Sequence, residues 1–220
     1  SASRAAYSSR DNPAPQAGKY TFIIPGDPAV GVNGSGYGAA TVDKAGIVKF
    51  TGALADGSKF TESSVLTEDG TCPFYTSVYG GNGMVIGSLG FTNLPETDIA
   101  AQLTWTKPAR PGSDFNPAGF TNIVTMVGSH YTSPTRASHR ILAMTNGVIV
   151  FQDGNLTAPF TNSVTLRNGN NMQNTSDNQL TMKLRQQTGL FDGKVQEPVT
   201  GRWIPFWGAL LQKQNQGPGY

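Results

Sequence analysis

The strongest constraint on this chain is its punctuation. Lys44-Ala45-Gly46, Ala55-Asp56-Gly57, Glu68-Asp69-Gly70 and Gly80-Gly81-Asn82-Gly83 break the sequence at near-regular intervals. Each supplies a residue that reaches positive φ, as tight hairpin turns require. The segments between them alternate. Val48, Phe50, Gly52 and Leu54 fall on one side and Lys49, Thr51 and Ala53 on the other. Short alternating runs separated by turn residues spell an antiparallel meander.

Composition removes the competing classes. Only 14% of the 220 residues are charged, against about 25% in typical domains. Gly (27) and Pro (14) take their place, and both are poor helix formers. With 11 Phe, 7 Tyr and 3 Trp and a net charge of +2, the chain has enough to bury and too little repulsion for disorder. No apolar run approaches the roughly 20 residues of a membrane-spanning helix. The basic residues are scattered, Lys107 and Arg110 being the nearest to a cluster, so no nucleic-acid surface is expected. Cys72 stands alone, which excludes an intrachain disulfide and a cysteine zinc cluster. In its strand-like context it reads as a buried, inert thiol.

Residues 1–18 lack periodicity and read as an extended arm or linker with no fixed place in a core, leaving 19–220 as a single β-domain. The expected fold is all-β: an up-and-down meander of ten to twelve strands in a closed or nearly closed barrel, with a two-sheet sandwich as the alternative. Strands are expected at Tyr20–Ile24, through the hairpins to Trp105, then at I-L-A-M-T (141–145), G-V-I-V-F, S-V-T-L, Q-L-T-M-K-L, L-F-D-G-K-V and R-W-I-P-F-W-G-A-L-L-Q. In the late pair, Leu180, Met182 and Leu184 oppose Thr181, Lys183 and Arg185, again one apolar and one polar face. Residues 107–118 form a Pro-rich break, read as a long inter-strand loop or a boundary between half-domains, and 129–140 a second long loop. Three segments, G-I-V-K-F-T-G-A-L, G-V-I-V-F-Q-D-G-N-L and G-L-F-D-G-K-V, form a loose repeat with a leading and an inner Gly, which suits two halves of one meander.

Catalytic patterns are scarce. His130 and His139, with Ser129 and Asp114 nearby, hint at a Ser-His-Asp site, yet no G-x-S-x-G elbow exists and loop histidines are the expected reading. Gly34-Ser35-Gly36-Tyr37-Gly38 has the glycines of a phosphate loop without its Lys or helix, and reads as an inter-strand loop. Asp153-Gly154-Asn155 and Asp192-Gly193 read as turns, since they lack the carboxylates of a calcium loop. No enzyme, metal or cofactor is expected. The aromatics Tyr75, Tyr79, Trp105, Trp203 and Trp207 lie on expected strands. They fill the core, or they stand exposed and stack on sugar rings, which are apolar on one face.

The motifs G-K-Y-T-F-I-I-P-G, T-V-D-K-A-G-I-V-K-F-T-G-A-L-A-D-G, F-Y-T-S-V-Y-G-G-N-G, T-G-L-F-D-G-K-V and I-P-F-W-G-A-L-L-Q-K-Q-N, in this order, resemble a domain of unassigned activity. It is found near the C-terminus of large secreted proteins of Verrucomicrobia-type bacteria. The resemblance covers residues 18–220. It implies secretion and a barrel-like or sandwich-like module, and carries no catalytic residues. Members of that group run on past the final G-x-G-Y with one more strand, whereas this chain stops at Tyr220. The chain is then a fragment, or its last strand comes from elsewhere.

From this follow the functional expectations. The chain reads as a mature secreted or cell-surface piece, with its signal peptide removed. Its expected role is a non-enzymatic extracellular structural or adhesive module. It would be a self-assembling subunit of a surface fibre or matrix, with a carbohydrate-binding module as the alternative and a hydrolase as the remote one. Its partners would be other copies of the chain or a surface polysaccharide. The assembly edge is expected at Trp203, Ile204, Phe206, Leu210 and Leu211, because Trp203 to Gln212 carries no charge. The free arm of one copy would add there to the next, as in pilin strand donation.

Overall fold

Alternation and turn chemistry place the strands as the sequence dictates. The computed structural model describes residues 6–112, 116–154 and 156–220. Asp114 and Asn155, and residues 1–5 of the expected arm, lie outside the described residues. Eight strands make the first body: β1 (Gly18–Pro25), β2 (Ser35–Val42), β3 (Ile47–Ala53), β4 (Lys59–Val65), β5 (Thr71–Val78), β6 (Gly83–Leu94), β7 (Thr97–Lys107) and β8 (Phe120–His130). Sequence neighbours pair antiparallel from β1 to β4 and from β5 to β8, and β1 pairs with β8, giving the order β4-β3-β2-β1-β8-β7-β6-β5. This is an up-and-down barrel, open only between β4 and β5. There side chains replace the ladder: the Phe60 and Phe74 rings meet edge-on at 5.7 Å across the seam. Phe22, Phe50, Leu54, Leu89, Leu103 and Met126 are buried inside, while Lys49 and Thr51 face water. Eight strands leave an interior just wide enough for side chains to fill.

Glycines make room for the large rings. Phe22 on β1 lies opposite Gly38 on β2, and Phe60 on β4 opposite Gly52 on β3. A Cβ on Gly38 would sit 2.3 Å from Phe22 Cζ and 2.6 Å from the Thr51 carbonyl oxygen. The G-S-G-Y-G motif is therefore the start of a strand whose small residues accept a neighbouring ring, the covering of a strand glycine by a cross-strand aromatic.

The remaining strands do not extend the barrel. β9 (Asn146–Phe151), β10 (Phe160–Leu166) and β11 (Met172–Asn174) form one three-stranded sheet, and β12 (Leu180–Arg185), β13 (Leu190–Gln196) and β14 (Trp203–Ala209) another. Their apolar faces share a second core that includes Leu142, Leu166, Leu184, Phe191 and Phe206. The same pairing recurs there, with Gly193 opposite Phe206 and Gly208 opposite Phe191. The strands of the expected single meander thus divide into eight in a barrel and six in a small sandwich. The loose repeat does not mark two halves of one meander: its copies contribute β3, β9 and β13, in three different sheets. The Pro-rich break joins β7 to β8 within the barrel. Residues 141–145 are not a strand, although Ile141 and Leu142 are buried. The expected loop at 129–140 starts two residues later, after His130 ends β8.

Several contacts join the two bodies, among them three sets. Thr21, buried on β1, donates its hydroxyl to the Leu210 carbonyl at 2.6 Å. The Lys213 ammonium reaches Asp98 Oδ1 (2.6 Å), Leu94 O (2.8 Å) and Asn93 Oδ1 (3.0 Å), and Asp98 Oδ2 also accepts from the His130 amide at 2.7 Å. The segment 216–220 folds back on β14, with Trp207 and Tyr220 exchanging backbone bonds of 2.9 and 3.0 Å, while Ser35 N–H donates to Gly219 O at 3.0 Å.

The arm is docked, contrary to expectation. Ala14 is buried in the barrel core, and its amide donates to Lys44 O at 3.0 Å. Tyr7 packs on the Gly46 turn and Tyr20 donates to Gln16 O at 2.8 Å. Residues 6–17 therefore cover one end of their own barrel, against the Gly46 and Gly70 turns.

Candidate functional site

The five aromatics expected to share a binding role separate into three places. Trp105 is 1% exposed and belongs to the barrel core, so it cannot meet a ligand. Its indole N–H donates to Tyr79 Oη at 3.1 Å, and Tyr79 in turn donates to Asp56 Oδ2 at 2.5 Å. Burial, then the Asp56 carboxylate, pushes the Tyr79 hydroxyl well above its ordinary value. The pair is an internal latch at the end of the barrel. Tyr75 is 53% exposed on the outer barrel wall, beside Ile86 across the β5–β6 ladder.

Trp203 and Trp207 lie together on one exposed face. Alternation along β14 sends Ile204 and Phe206 into the second core and Trp203, Pro205 and Trp207 to the outer face, where the two indoles are 42% and 37% exposed. Four residues of strand set them about 13 Å apart. The register places Gln196, Lys194 and Asp192 opposite them, and Thr181 and Lys183 on β12 beyond those. Lys194 Nζ sits 4.5 Å from the Trp203 ring centroid, a cation–π contact that fixes both side chains. Asp192 is held by Arg185, with Nη2 and Nε each 2.8 Å from Oδ1. A shallow depression of about 420 Å³ runs between these groups, lined by Thr181, Lys183, Asp192, Lys194, Pro205 and Trp207.

The aromatic surface continues onto the barrel. Tyr220 packs 5.9 Å from Trp207 and 5.8 Å from Tyr37 on β2. Burial, then Tyr37 and Asp56, push the Tyr220 hydroxyl up to about 12. Burial raises Tyr37 likewise, partly opposed by Arg185. The sequence does not mark Lys194 or the two tyrosines as site residues, and Asp192-Gly193, expected as a turn, lies in the middle of β13, paired on both sides. The alternation of residues 181–185 does reveal Lys183 on a polar face. Nothing in the sequence signals that Tyr220 folds back onto Trp207.

The other expected groups do not assemble. Ser129 and His130 are adjacent on β8, so their side chains point to opposite faces. The Ser129 hydroxyl is buried, donates to His130 O and accepts from the Lys213 amide. His139 faces Thr135 instead. Cys72 is fully buried, and desolvation pushes its thiol up to about 12. Among the described residues no cluster of three His, Cys, Asp or Glu could hold a metal ion, and no helix is long and apolar enough to cross a membrane.

The expected assembly edge is also corrected. Residues 218–220 occupy the outer side of β14 from Trp207 to Ala209. Phe206, Leu210 and Leu211 are buried, and Ile204 is partly buried against the second core. Only the Trp203 end of that strand is open.

No family model matches this chain, and no curated protein or solved structure matches it either.

Proposed function

We propose that this protein is a non-enzymatic extracellular binding module of adhesive type, and that it holds a surface polysaccharide against the outer face of the β12–β14 sheet. The observation that carries the reading is the pair of exposed indoles, Trp203 and Trp207, held on one rigid strand face and flanked by charged groups. Large rings left in water on a sheet cost free energy unless a partner covers them. A pyranose chain presents an apolar face to stack on the indoles and equatorial hydroxyls to reach Thr181 and Asp192. Arg185 is engaged by Asp192. Lys183 and Lys194 make no ion pair among the described residues, so they are placed to meet acidic substituents on the chain. The low charge and the resemblance to domains of large secreted bacterial proteins are what support an extracellular location.

The test is binding to a panel of neutral and uronate-bearing polysaccharides, read by intrinsic fluorescence and by calorimetry. Ligand should quench Trp203 and Trp207 while buried Trp105 remains silent. Trp203→Ala with Trp207→Ala should weaken binding more than ten-fold with the circular dichroism spectrum unchanged. Undiminished binding in that double variant would refute the assignment of this face.

A further inference from the structure

We infer that strand β9 is a self-association edge, through which two copies of this chain pair antiparallel about a two-fold axis at Val148. The inference does not depend on the polysaccharide reading, because it concerns the opposite sheet of the sandwich.

The register identifies the free groups. Leu166 N–H donates to Thr145 O, and Thr145 lies opposite Leu166 when the β9–β10 register is continued. Hydrogen-bonded pairs alternate in an antiparallel ladder. Gly147, Ile149 and Phe151 therefore bond to β10, and the N–H and C=O groups of Asn146, Val148 and Val150 point away from the sheet. No strand pairs with them among the described residues. The Val148 and Val150 side chains are 63% and 56% exposed on the outer face, beside Ser163 and Thr161 of β10.

The other edges are managed. β4 and β5 close on each other through Phe60 and Phe74. β11 is only three residues long, β12 carries Lys183 and Arg185, and β14 is covered by residues 218–220 from Trp207 to Ala209 and carries Pro205 in its open half. Strand edges are normally blunted by charge, proline or cover, and β9 has none of these. From Ile141 to Gln152 there is no charged residue.

The occupant that fits is a second β9. With Val148 opposite its symmetry mate, Asn146 faces Val150 of the other copy, and all three outward residues of each strand find partners. Val148 and Val150 of the two copies, four valines in all, then form one apolar strip about the axis, and two three-stranded sheets become one of six. The first charges flanking the strand are Arg140 before it and Asp153 after it. Antiparallel copies bring the Arg140 end of one against the Asp153 end of the other, whereas parallel copies would set like charges together. A two-fold contact of this kind closes on itself, so it yields a dimer and not a fibre.

The experiment is sedimentation equilibrium of the full chain from micromolar to millimolar concentration, with three variants. Val148→Lys places two ammonium groups together at the axis and should raise the dimer dissociation constant at least ten-fold. Val148→Pro removes the outward N–H while leaving the β10 ladder intact, as edge strands tolerate, and should do the same. Thr161→Lys, on the outer face but one strand inward, should dimerise within two-fold of the parent. As a positive test, Val148→Cys should give a disulfide-linked dimer on mild oxidation, since Cys72 is buried and does not compete. A parent chain that stays monomeric at millimolar concentration overturns the inference. So do folded Val148→Lys and Val148→Pro variants that dimerise like the parent.

Discussion

Substituting Gly38 by Ala tests the physical reading of the barrel more sharply than truncating a core side chain would. The new methyl would lie 2.3 Å from Phe22 Cζ and 2.6 Å from the Thr51 carbonyl oxygen. A ring tip can swing, but the carbonyl belongs to the β3 backbone and moves only with the strand. Overpacking a tight core costs about 1–3 kcal/mol, and two obstacles of which one is backbone put this site at the upper end. Gly38 does not use positive φ, so alanine also restricts the unfolded chain and returns about 0.4–1 kcal/mol. The net expectation is a loss of about 1–2 kcal/mol.

Gly90 on β6 is the matched control. A methyl there meets nothing closer than 3.7 Å and its φ is ordinary. Gly90→Ala should be neutral or stabilising by up to about 1 kcal/mol, through the unfolded state alone. Equilibrium urea unfolding, followed by tryptophan fluorescence, gives both values from midpoint shifts at constant m. Phe22→Leu shortens the ring and should recover part of the Gly38→Ala loss, so the double-mutant cycle should show a coupling of at least about 0.5 kcal/mol. Equal effects at Gly38 and Gly90, or zero coupling to Phe22, would refute the claim that the strand glycines exist to receive rings.

Other expectations follow from the same structure. Removing residues 1–14 should cost about 1–3 kcal/mol in urea unfolding, because Ala14 and Tyr7 bury apolar surface on the barrel; an unchanged midpoint would show that the arm contributes nothing. Lys213→Met should destabilise by about 2–4 kcal/mol, since it leaves the nearly buried Asp98 carboxylate with only the His130 amide, and Asp98→Asn in the same background should restore part of the loss. Cys72 should resist Ellman's reagent at pH 8 in the native state and react fully in urea. Its folded pKa is raised, so its stabilising contribution is complete below the ordinary thiol value of 9.0 and is lost as pH climbs toward about 12, read as a falling urea midpoint between those limits.

The barrel was legible because each of its signals is local. The turn at Gly46 and the alternation through Phe50 and Leu54 depend only on neighbours in sequence, and they fix both a hairpin and the face that goes inside. The closing pair could not be read that way. β1 meets β8 across more than a hundred residues, and β8 itself, F-T-N-I-V-T-M-V-G-S-H, mixes exposed Ile123 with buried Val124 and Met126. The sequence has no marker for where one core stops and the next begins, because β12 to β14 use the same Gly–Phe pairing as the barrel and look like more of it.

The candidate site shows the same division. That Trp203 and Trp207 share a face follows from their spacing. That the face is the outer one depends on which side of β14 meets the second core, and that is decided by Phe206 and Ile204 packing against residues from β9 to β13. Trp105 has the same local character, a tryptophan on an alternating strand, yet it is buried because β7 runs through the middle of its barrel half, with Val85 opposite it on β6 and the Phe120 ring 5.0 Å away. Local pattern specifies which residues travel together; tertiary packing chooses their side. The protein has a second core available and leaves the Trp203 and Trp207 rings outside it, while Phe151, Phe191 and Phe206 fill that core from neighbouring strands. Rings of the same chemistry on the same small sandwich meet opposite fates, and hydrophobicity alone does not account for the pair that remains in water.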